Sequence, residues 1–409
     1  MAEYNSKKNI AAIVIVSSLG YFVDIYDLIL FSVVRITSLK SLGIPEQDLL
    51  PDGVLLLNMQ MAGMLIGGII WGILGDKKGR ISVLFGSIFL YSLANIANGF
   101  VQDVNQYAVL RFIAGIGLAG ELGAGVTLVA EVMSKESRGY GTMVVATVGI
   151  LGAVAAALIS EAFDWRNAYF IGGGMGILLL LMRIGIYESG MYDSIKEASV
   201  SKGNFLKLFT DKKLFKKYIH CISIGVPIWF IVGVLVTFSP EFAKAFGIQE
   251  TISTGKAIMF CYIGLAAGDF LSGFLSQVFK TRKKIINLFI VLETVFILVY
   301  LLLNRFDTAF LYFMCLMLGI SGGYWAVFVT NASEQFGINI RATVTTTVPN
   351  FVRGAVVPAT LMFQYLTPVT GIIYSGLIVG VITLAIAYYS VFRLEDTFGK
   401  DLNYIETHS

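Results

Sequence analysis

Gly75-Asp76-Lys77-Lys78-Gly79-Arg80 is a short stretch of turn and charge set between two long apolar runs, residues 54–74 before it and residues 81–100 after it. Each run approaches the roughly 20 apolar residues that an α-helix needs to cross the hydrocarbon core of a bilayer. A tight basic connection between two such runs also carries orientation, because lysine and arginine collect on the cytoplasmic side. The stretch therefore reads as the turn of a helical hairpin that crosses a membrane twice.

The rest of the chain has the same character. Of its 409 residues 56% are hydrophobic and 14% charged, whereas charged residues approach about 25% in soluble domains. The 43 glycines suit membrane helices that pack closely through small side chains. A net charge of +3, with the basic residues in connecting stretches, gives no ground for a nucleic-acid partner. Cys221, Cys261 and Cys315 lie in apolar spans without paired spacing, so neither a disulfide framework nor a metal site follows. His220, expected at a helix start, and His408 in the tail are the only histidines, which leaves little for a histidine-based enzyme. No cofactor and no catalytic residue is expected. The N-terminus, with Lys7 and Lys8 before an apolar run, superficially resembles a secretory signal. However, no small-x-small cleavage site follows and the run continues past Asp24 and Asp27 to Val34, so it is read as a retained first span.

Hydropathy marks candidate spans at 10–34, 53–75, 81–100, 105–131, 140–160, 166–187, 218–239, 255–278, 285–303, 308–331, 342–363 and 370–392. An even number of spans puts both ends on one side. Of the 30 basic residues, roughly 21 then fall on the side of the termini and about 6 on the other, which predicts cytoplasmic termini. Arg111, Arg183 and Arg353 remain inside spans. The one long polar connection, residues 188–217, is rich in lysine and separates six spans (1–187) from six (218–409). Its portion 204–209 reads equally as a short interfacial helix or as solvated linker. The halves echo each other: Gly67-Gly68, Gly72 and Gly75-Asp76 can be laid on Gly268-Asp269, Gly273 and Ser276-Gln277. Weak internal symmetry of this kind accompanies transporters built from repeats.

The 75–80 stretch resembles the loop between the second and third helices of the major facilitator superfamily. Ala130-Glu131 with Arg138-Gly139 matches that family's fourth-to-fifth loop. The resemblance implies an all-α membrane protein with twelve transmembrane helices in two six-helix bundles, each of inverted three-helix repeats, and both termini cytoplasmic. It also implies a gate. The loop's acid docks at the end of a helix of the other half, and its arginine pairs with acids of its own half. Here the gating candidates are Asp76, Arg80, Glu131 and Arg138; the plainer alternative is an ordinary positive-inside turn.

The first span carries Asp24 and Asp27. Ionisable residues inside a membrane helix are costly, and by default they mark an ion or substrate path. At i and i+3 the two acids share one face, an arrangement suited to holding and releasing a proton, or else to fixing structural partners. Their D-x-x-D resembles the first-helix signature of proton-coupled aromatic-acid and related organic-acid or sugar symporters, although Ile25 stands where those often carry glycine. In the fourth span residues 115–120 read G-x-G-x-x-G, but without a preceding strand this is no dinucleotide fingerprint. Arg111 resembles the superfamily's fourth-helix arginine, which implies pairing with a first-helix acid such as Asp27. Glu121 lies about 15 Å further along the helix, as a second proton site or a lock of the inner gate.

The C-terminal half contributes Asp269, Glu293 and Arg353 within spans. Arg353 facing a cavity would favour an anionic substrate, whereas Arg353 paired with Asp269 or Glu293 would only hold helices together. Pro349 and Pro358 permit bending. Tyr26, Gln60, Trp229, Tyr324, Trp325, Asn331 and Asn350 are candidate pocket residues, each with packing or interfacial anchoring as the alternative. The expected function is proton-coupled symport of a small organic, anionic metabolite by alternating access, in a monomer of the bacterial inner membrane. A proton-driven exporter or an uncoupled facilitator is the alternative. The expected partners are the substrate, protons and the lipid bilayer.

Overall fold

The computed structural model describes residues 7–78, 80–123, 125, 129, 133, 138–188, 207–303 and 307–400. All secondary structure among them is helical. The first part of the chain forms α1 (Lys7–Ser41), α2 (Leu49–Lys78), α3 (Arg80–Asn98), α4 (Val104–Leu118), α5 (Arg138–Ala162) and α6 (Trp165–Glu188). A single helical turn, Lys207–Thr210, leads into α7 (Lys212–Phe230) and the short α8 (Ser239–Ala245). There follow α9 (Thr254–Val278), α10 (Lys283–Leu302), α11 (Thr308–Gly322), α12 (Trp325–Glu334), α13 (Ile338–Gly354) and α14 (Val356–Arg393). Among the described residues nine helical stretches are long and apolar enough to cross a bilayer, with Ser82–Asn98 a shorter apolar helix beside them.

Four of the helices, α4, α7, α9 and α11, start where the sequence supplies a side-chain acceptor for their first free N–H groups. Asp103 accepts from the Gln106 N–H, Asp211 from those of Lys213 and Leu214, Ser253 from that of Lys256, and Asp307 from that of Phe310. Each is an N-cap that satisfies a donor which the helix itself leaves unpaired. Inside the apolar spans the regular geometry breaks at three identifiable places. Pro227 removes a donor near the end of α7, and a π-helical segment, Ile231–Val236, follows it. Gly323 and Tyr324 separate α11 from α12. Gly371, at φ 76, interrupts α14. As one straight helix α14 would measure about 57 Å, nearly twice the thickness of the hydrocarbon core, and only glycine takes that backbone conformation without strain.

His220 lies two turns inside α7 instead of at a helix start, with its Nδ1 3.2 Å from Ser390 Oγ. The three cysteines are buried and free.

Packing is set by small residues. A Cβ at Gly115 would collide with the Gln60 carbonyl, and one at Gly63 with that of Phe112, so α2 and α4 meet backbone to backbone. The same device recurs in the second half, where Gly264 faces the Leu316 carbonyl and Gly319 that of Cys261, joining α9 to α11. Close approach of this kind replaces the hydrophobic drive that lipid does not supply. The two parts of the chain meet where α2 packs on α13 and α5 on α9. Asn350 Nδ2 donates to the Ala119 carbonyl at 2.8 Å, and Thr360 Oγ1 to Asn58 Oδ1 at 2.6 Å.

Candidate functional site

Gly20, Asp24, Asp27 and Phe31 follow one another at i+4, i+3 and i+4 along α1, so they form a single stripe. That stripe faces inward, with Asp24, Asp27 and Phe31 without solvent-exposed surface. Three buried arginines meet it at three heights.

At Gly20, Arg183 of α6 pairs with Glu121. The Nη1–Oε2 contact is 3.0 Å, and Arg183 Nη1 also donates to the Leu84 carbonyl at 3.3 Å. A side chain at position 20 would run into both charged groups, which gives a packing reason for glycine there. Glu121 was singled out from the sequence. Its partner was visible there only as a charge inside a span, and nothing in the sequence linked the two.

One turn further, Asp24 Oδ2 stands 3.7 Å from Arg353 Nη2 of α13. This is an ion pair between the two parts of the chain. It replaces the expected choice of Asp269 or Glu293 as the partner of Arg353. Those two acids are buried elsewhere: Asp269 Oδ1 accepts from the Ala326 N–H at 3.0 Å, and Glu293 Oε2 from the Tyr324 hydroxyl at 3.2 Å. The Arg353 guanidinium also lies 5.7 Å from the Trp229 ring and 5.9 Å from the Trp325 ring, within cation–π range. None of its nitrogens, and neither oxygen of Asp24, makes a hydrogen bond among the described residues.

At the third height the Asp27 carboxylate rests against Gly172, with Asn95 and Arg111 as polar neighbours. Neither of its oxygens is hydrogen-bonded among the described residues. Arg111 does not close a direct bond to it. The guanidinium is held instead by Gln60 Oε1 and, at 3.4 Å, by the Tyr169 hydroxyl, and it lies 5.2 Å from the Phe31 ring. Tyr107 and Tyr169 share a 2.6 Å hydrogen bond behind it. Asn95 and Tyr169 were missed in the sequence because a lone polar residue in an apolar span has no distinguishing pattern.

The remaining pocket candidates divide. Tyr26 donates to the Ala168 carbonyl at 2.8 Å, and Gln60 Nε2 to that of Leu28 at 3.2 Å. Trp229 and Trp325 stand edge to face, with centroids 6.4 Å apart. Tyr324 joins α7 to Glu293 by donating to the Ile224 carbonyl at 2.9 Å and to the carboxylate. Asn350 sits at the α2–α13 contact. Asn331 is apart from the rest, its Oδ1 accepting from Thr397 at 3.1 Å near Glu334. Of the gating candidates, Glu131 lies outside the described residues. For Asp76, Arg80 and Arg138 only the helical backbone is described. A further arginine, Arg35, reaches from α1 to Glu241 of α8 at 2.7 Å and to the Thr237 carbonyl at 3.3 Å. Its place near the end of the first span concealed it.

A sequence model described as Major Facilitator Superfamily matches residues 17–372. The chain belongs to the major facilitator superfamily. It is a multi-pass membrane protein that transports small molecules, and not an enzyme. Among its relatives are the sialic acid transporter NanX of Escherichia coli, 26% identical over 65% of this chain and 64% of that one. The cis,cis-muconate transport protein of Acinetobacter baylyi is 25% identical over 84% of this chain and 85% of that one. The fold matches that of XylE, a proton:xylose symporter solved with 6-bromo-6-deoxy-D-glucose. That match has a TM-score of 0.74 and 16% identity, covering 97% of this chain and 98% of the other.

Proposed function

We propose that this superfamily member is a proton-coupled symporter of a small organic anion, working by alternating access. The observation that carries the reading is a line of buried carboxylates on α1 facing separate arginines, one of them contributed by the second half of the chain. Charges that trade partners as two packings interconvert are a means of tying one solute to another. Asp27, with Asp24, takes the proton. Arg111 displaces it by changing partner, and Arg353 receives the anion. Tyr26, Gln60, Trp229, Tyr324, Asn331 and Asn350 are the proposed lining, with Glu121 paired to Arg183 as a further coupling site. The 75–80 turn, through Asp76, Arg80, Glu131 and Arg138, would gate the inner side.

The architecture that goes with this reading has twelve crossings. The nine apolar stretches include one, Thr343–Arg393, long enough for two spans and interrupted at Gly371; Ser82–Asn98 and α4 supply the others. Residues 1–187 and 218–409 would form two six-helix bundles joined by a cytoplasmic connection at 188–217, with both termini cytoplasmic and the protein monomeric in a bacterial inner membrane. The relatives named for sialic acid and muconate support an acidic substrate.

The test is transport in vesicles with no imposed gradient. Substrate addition should alkalinise the outside under symport, whereas uptake without proton movement would reject the coupling. R353A should weaken binding of an anion more than that of its neutral analogue, and equal losses would reject the anion.

A further inference from the structure

Two buried acids of the second half, Asp269 and Glu293, hold the same place, the break between α11 and α12. Asp269 of α9 accepts from the Ala326 N–H at the start of α12 at 3.0 Å, and Glu293 of α10 meets the Tyr324 hydroxyl at 3.2 Å. Tyr324 and Glu293 are wholly buried. The same hydroxyl stands 2.9 Å from the Ile224 carbonyl of α7, three residues before Pro227. A phenol has one proton to give, a carbonyl can only accept, and a carboxyl donates only when it is protonated. Two bonding patterns follow. With Glu293 ionised, its carboxylate competes with the Ile224 carbonyl for the one proton of Tyr324, and the charged acceptor makes the stronger bond. With Glu293 protonated, its own O–H fills the contact to the phenolic oxygen, and Tyr324 gives its proton to Ile224. Only the second pattern bonds both contacts at once.

The surroundings of Glu293 supply no counter-charge. Its Oε1 makes no hydrogen bond among the described residues. A Cβ at Gly322 would lie 3.6 Å from that oxygen, beside Leu265 and Ile228, so the oxygen faces apolar groups. No basic side chain among the described residues acts on Glu293. The helices α9, α11, α12 and α14 pack against α10. Of their titratable groups, Tyr324 faces Glu293, and Tyr388 of α14 faces Tyr324, with its hydroxyl 3.1 Å from Thr294 Oγ1. Asp269 is turned to α12, and Cys315 of α11 acts on Tyr300, two turns further along α10. A buried charge without a partner is costly enough that the group neutralises instead. We propose that Glu293 is a proton-binding site of the second half, and that the proton it holds ties Tyr324 to α7. Loss of that proton to water, as the second half opens, leaves a carboxylate that draws the Tyr324 proton away from Ile224 and frees α7 from the break. Trp325, next in the chain, has its ring 5.9 Å from the Arg353 guanidinium, so release at Tyr324 also reaches the central charges. Glu293 has no part in the coupling proposed above, and this site does not depend on the substrate being an anion.

The experiment is infrared spectroscopy of the full-length protein in nanodiscs, with its glutamates labelled by carbon-13 at the carboxyl. Among the described residues the buried glutamates are Glu121 and Glu293, and Glu121 is paired with Arg183. At neutral pH the wild-type protein should show a label-shifted carbonyl band of a protonated acid, absent from E293Q and moved in Y324F, where the acid loses its acceptor. Raising the pH should remove the band together with a change in tryptophan fluorescence, because Trp325 and Trp229 flank the Tyr324–Ile224 contact in sequence. In E293Q the amide N–H donates to Tyr324 in place of the acid, so the fluorescence should stay at its protonated value throughout. That variant cannot release Tyr324 and should lose most of its counterflow rate. The labelled wild-type protein and Y324F decide the matter even where E293Q does not fold. Absence of the band at neutral pH, a band indifferent to Y324F, or a band that persists to high pH without a fluorescence change would each overturn the site. So would full counterflow by E293Q. Proton-coupled uptake alongside a silent Glu293 removes this site alone, whereas uptake without proton movement and a titrating Glu293 removes the symport reading and leaves the site.

Discussion

Asp27 shows how much a single side chain in an apolar span depends on its surroundings. Its carboxylate is buried against Gly172 without a hydrogen bond among the described residues, and Arg111 is anchored to Gln60 and Tyr169 instead of to the acid. An arginine held near an acid, but bonded to neutral groups, leaves that acid free to change protonation state without dismantling the helix contacts around it. D27N is therefore expected to fold and to retain substrate exchange across the membrane. It should lose accumulation against a gradient, because an amide cannot carry the proton. Radiolabelled uptake and counterflow in the same vesicles check this; retained accumulation would remove Asp27 from the coupling path. The i, i+3 spacing put Asp24 and Asp27 on one face from the sequence alone. Their different neighbours, Arg353 for one and Asn95 and Arg111 for the other, depend on residues more than 60 positions away.

At the scale of elements, α1 matters most because it carries the charged stripe and packs against α5 at backbone distance. A side chain at Gly152 would meet the carbonyl of Phe22 and the amide of Tyr26, two residues either side of Asp24. Backbone cannot yield as a flexible side chain can, so G152V should destabilise the protein by about 1–3 kcal/mol or more. Gly174, with nothing within 4 Å of an added Cβ, is the control, and G174A should change stability by no more than about 0.5 kcal/mol. Thermal unfolding in detergent distinguishes the two; equal shifts would mean that the α1–α5 contact is looser than its geometry. Helix existence was legible from apolar run length, whereas the N-caps Asp103, Asp211, Ser253 and Asp307 emerged only with the structure. The break between α11 and α12 falls inside a single expected span, 308–331, because a glycine in an apolar run reads equally as a packing contact, whereas the interruption at Gly371 lies at the start of the expected last span, 370–392.

For the whole molecule, the decisive contacts are those joining the two halves. Arg35 with Glu241 and Asn58 with Thr360 tie α1 and α2 to the second half, and Asn350 ties α13 to the Ala119 carbonyl. A carrier that opens by tilting one half against the other must break one set of these in each half-cycle. N58C/T360C, joined by oxidation or a short bifunctional thiol reagent, should stop transport, and reduction of the disulfide should restore it. The three native cysteines are buried, so single-cysteine controls should be unaffected. Undiminished transport by fully crosslinked protein would show that this contact stays closed throughout the cycle.

Run length, the basic turn at 75–80 and the charge bias of the loops were enough to establish a polytopic helical membrane protein, because hydrophobic thickness and lysine and arginine placement are properties of composition along the chain. The pairing of Glu121 with Arg183, of Asp24 with Arg353 and of Arg35 with Glu241 was decided only in three dimensions. An apolar span hides the direction in which its few charges point, and a buried charge finds its partner through helix packing that no local pattern encodes.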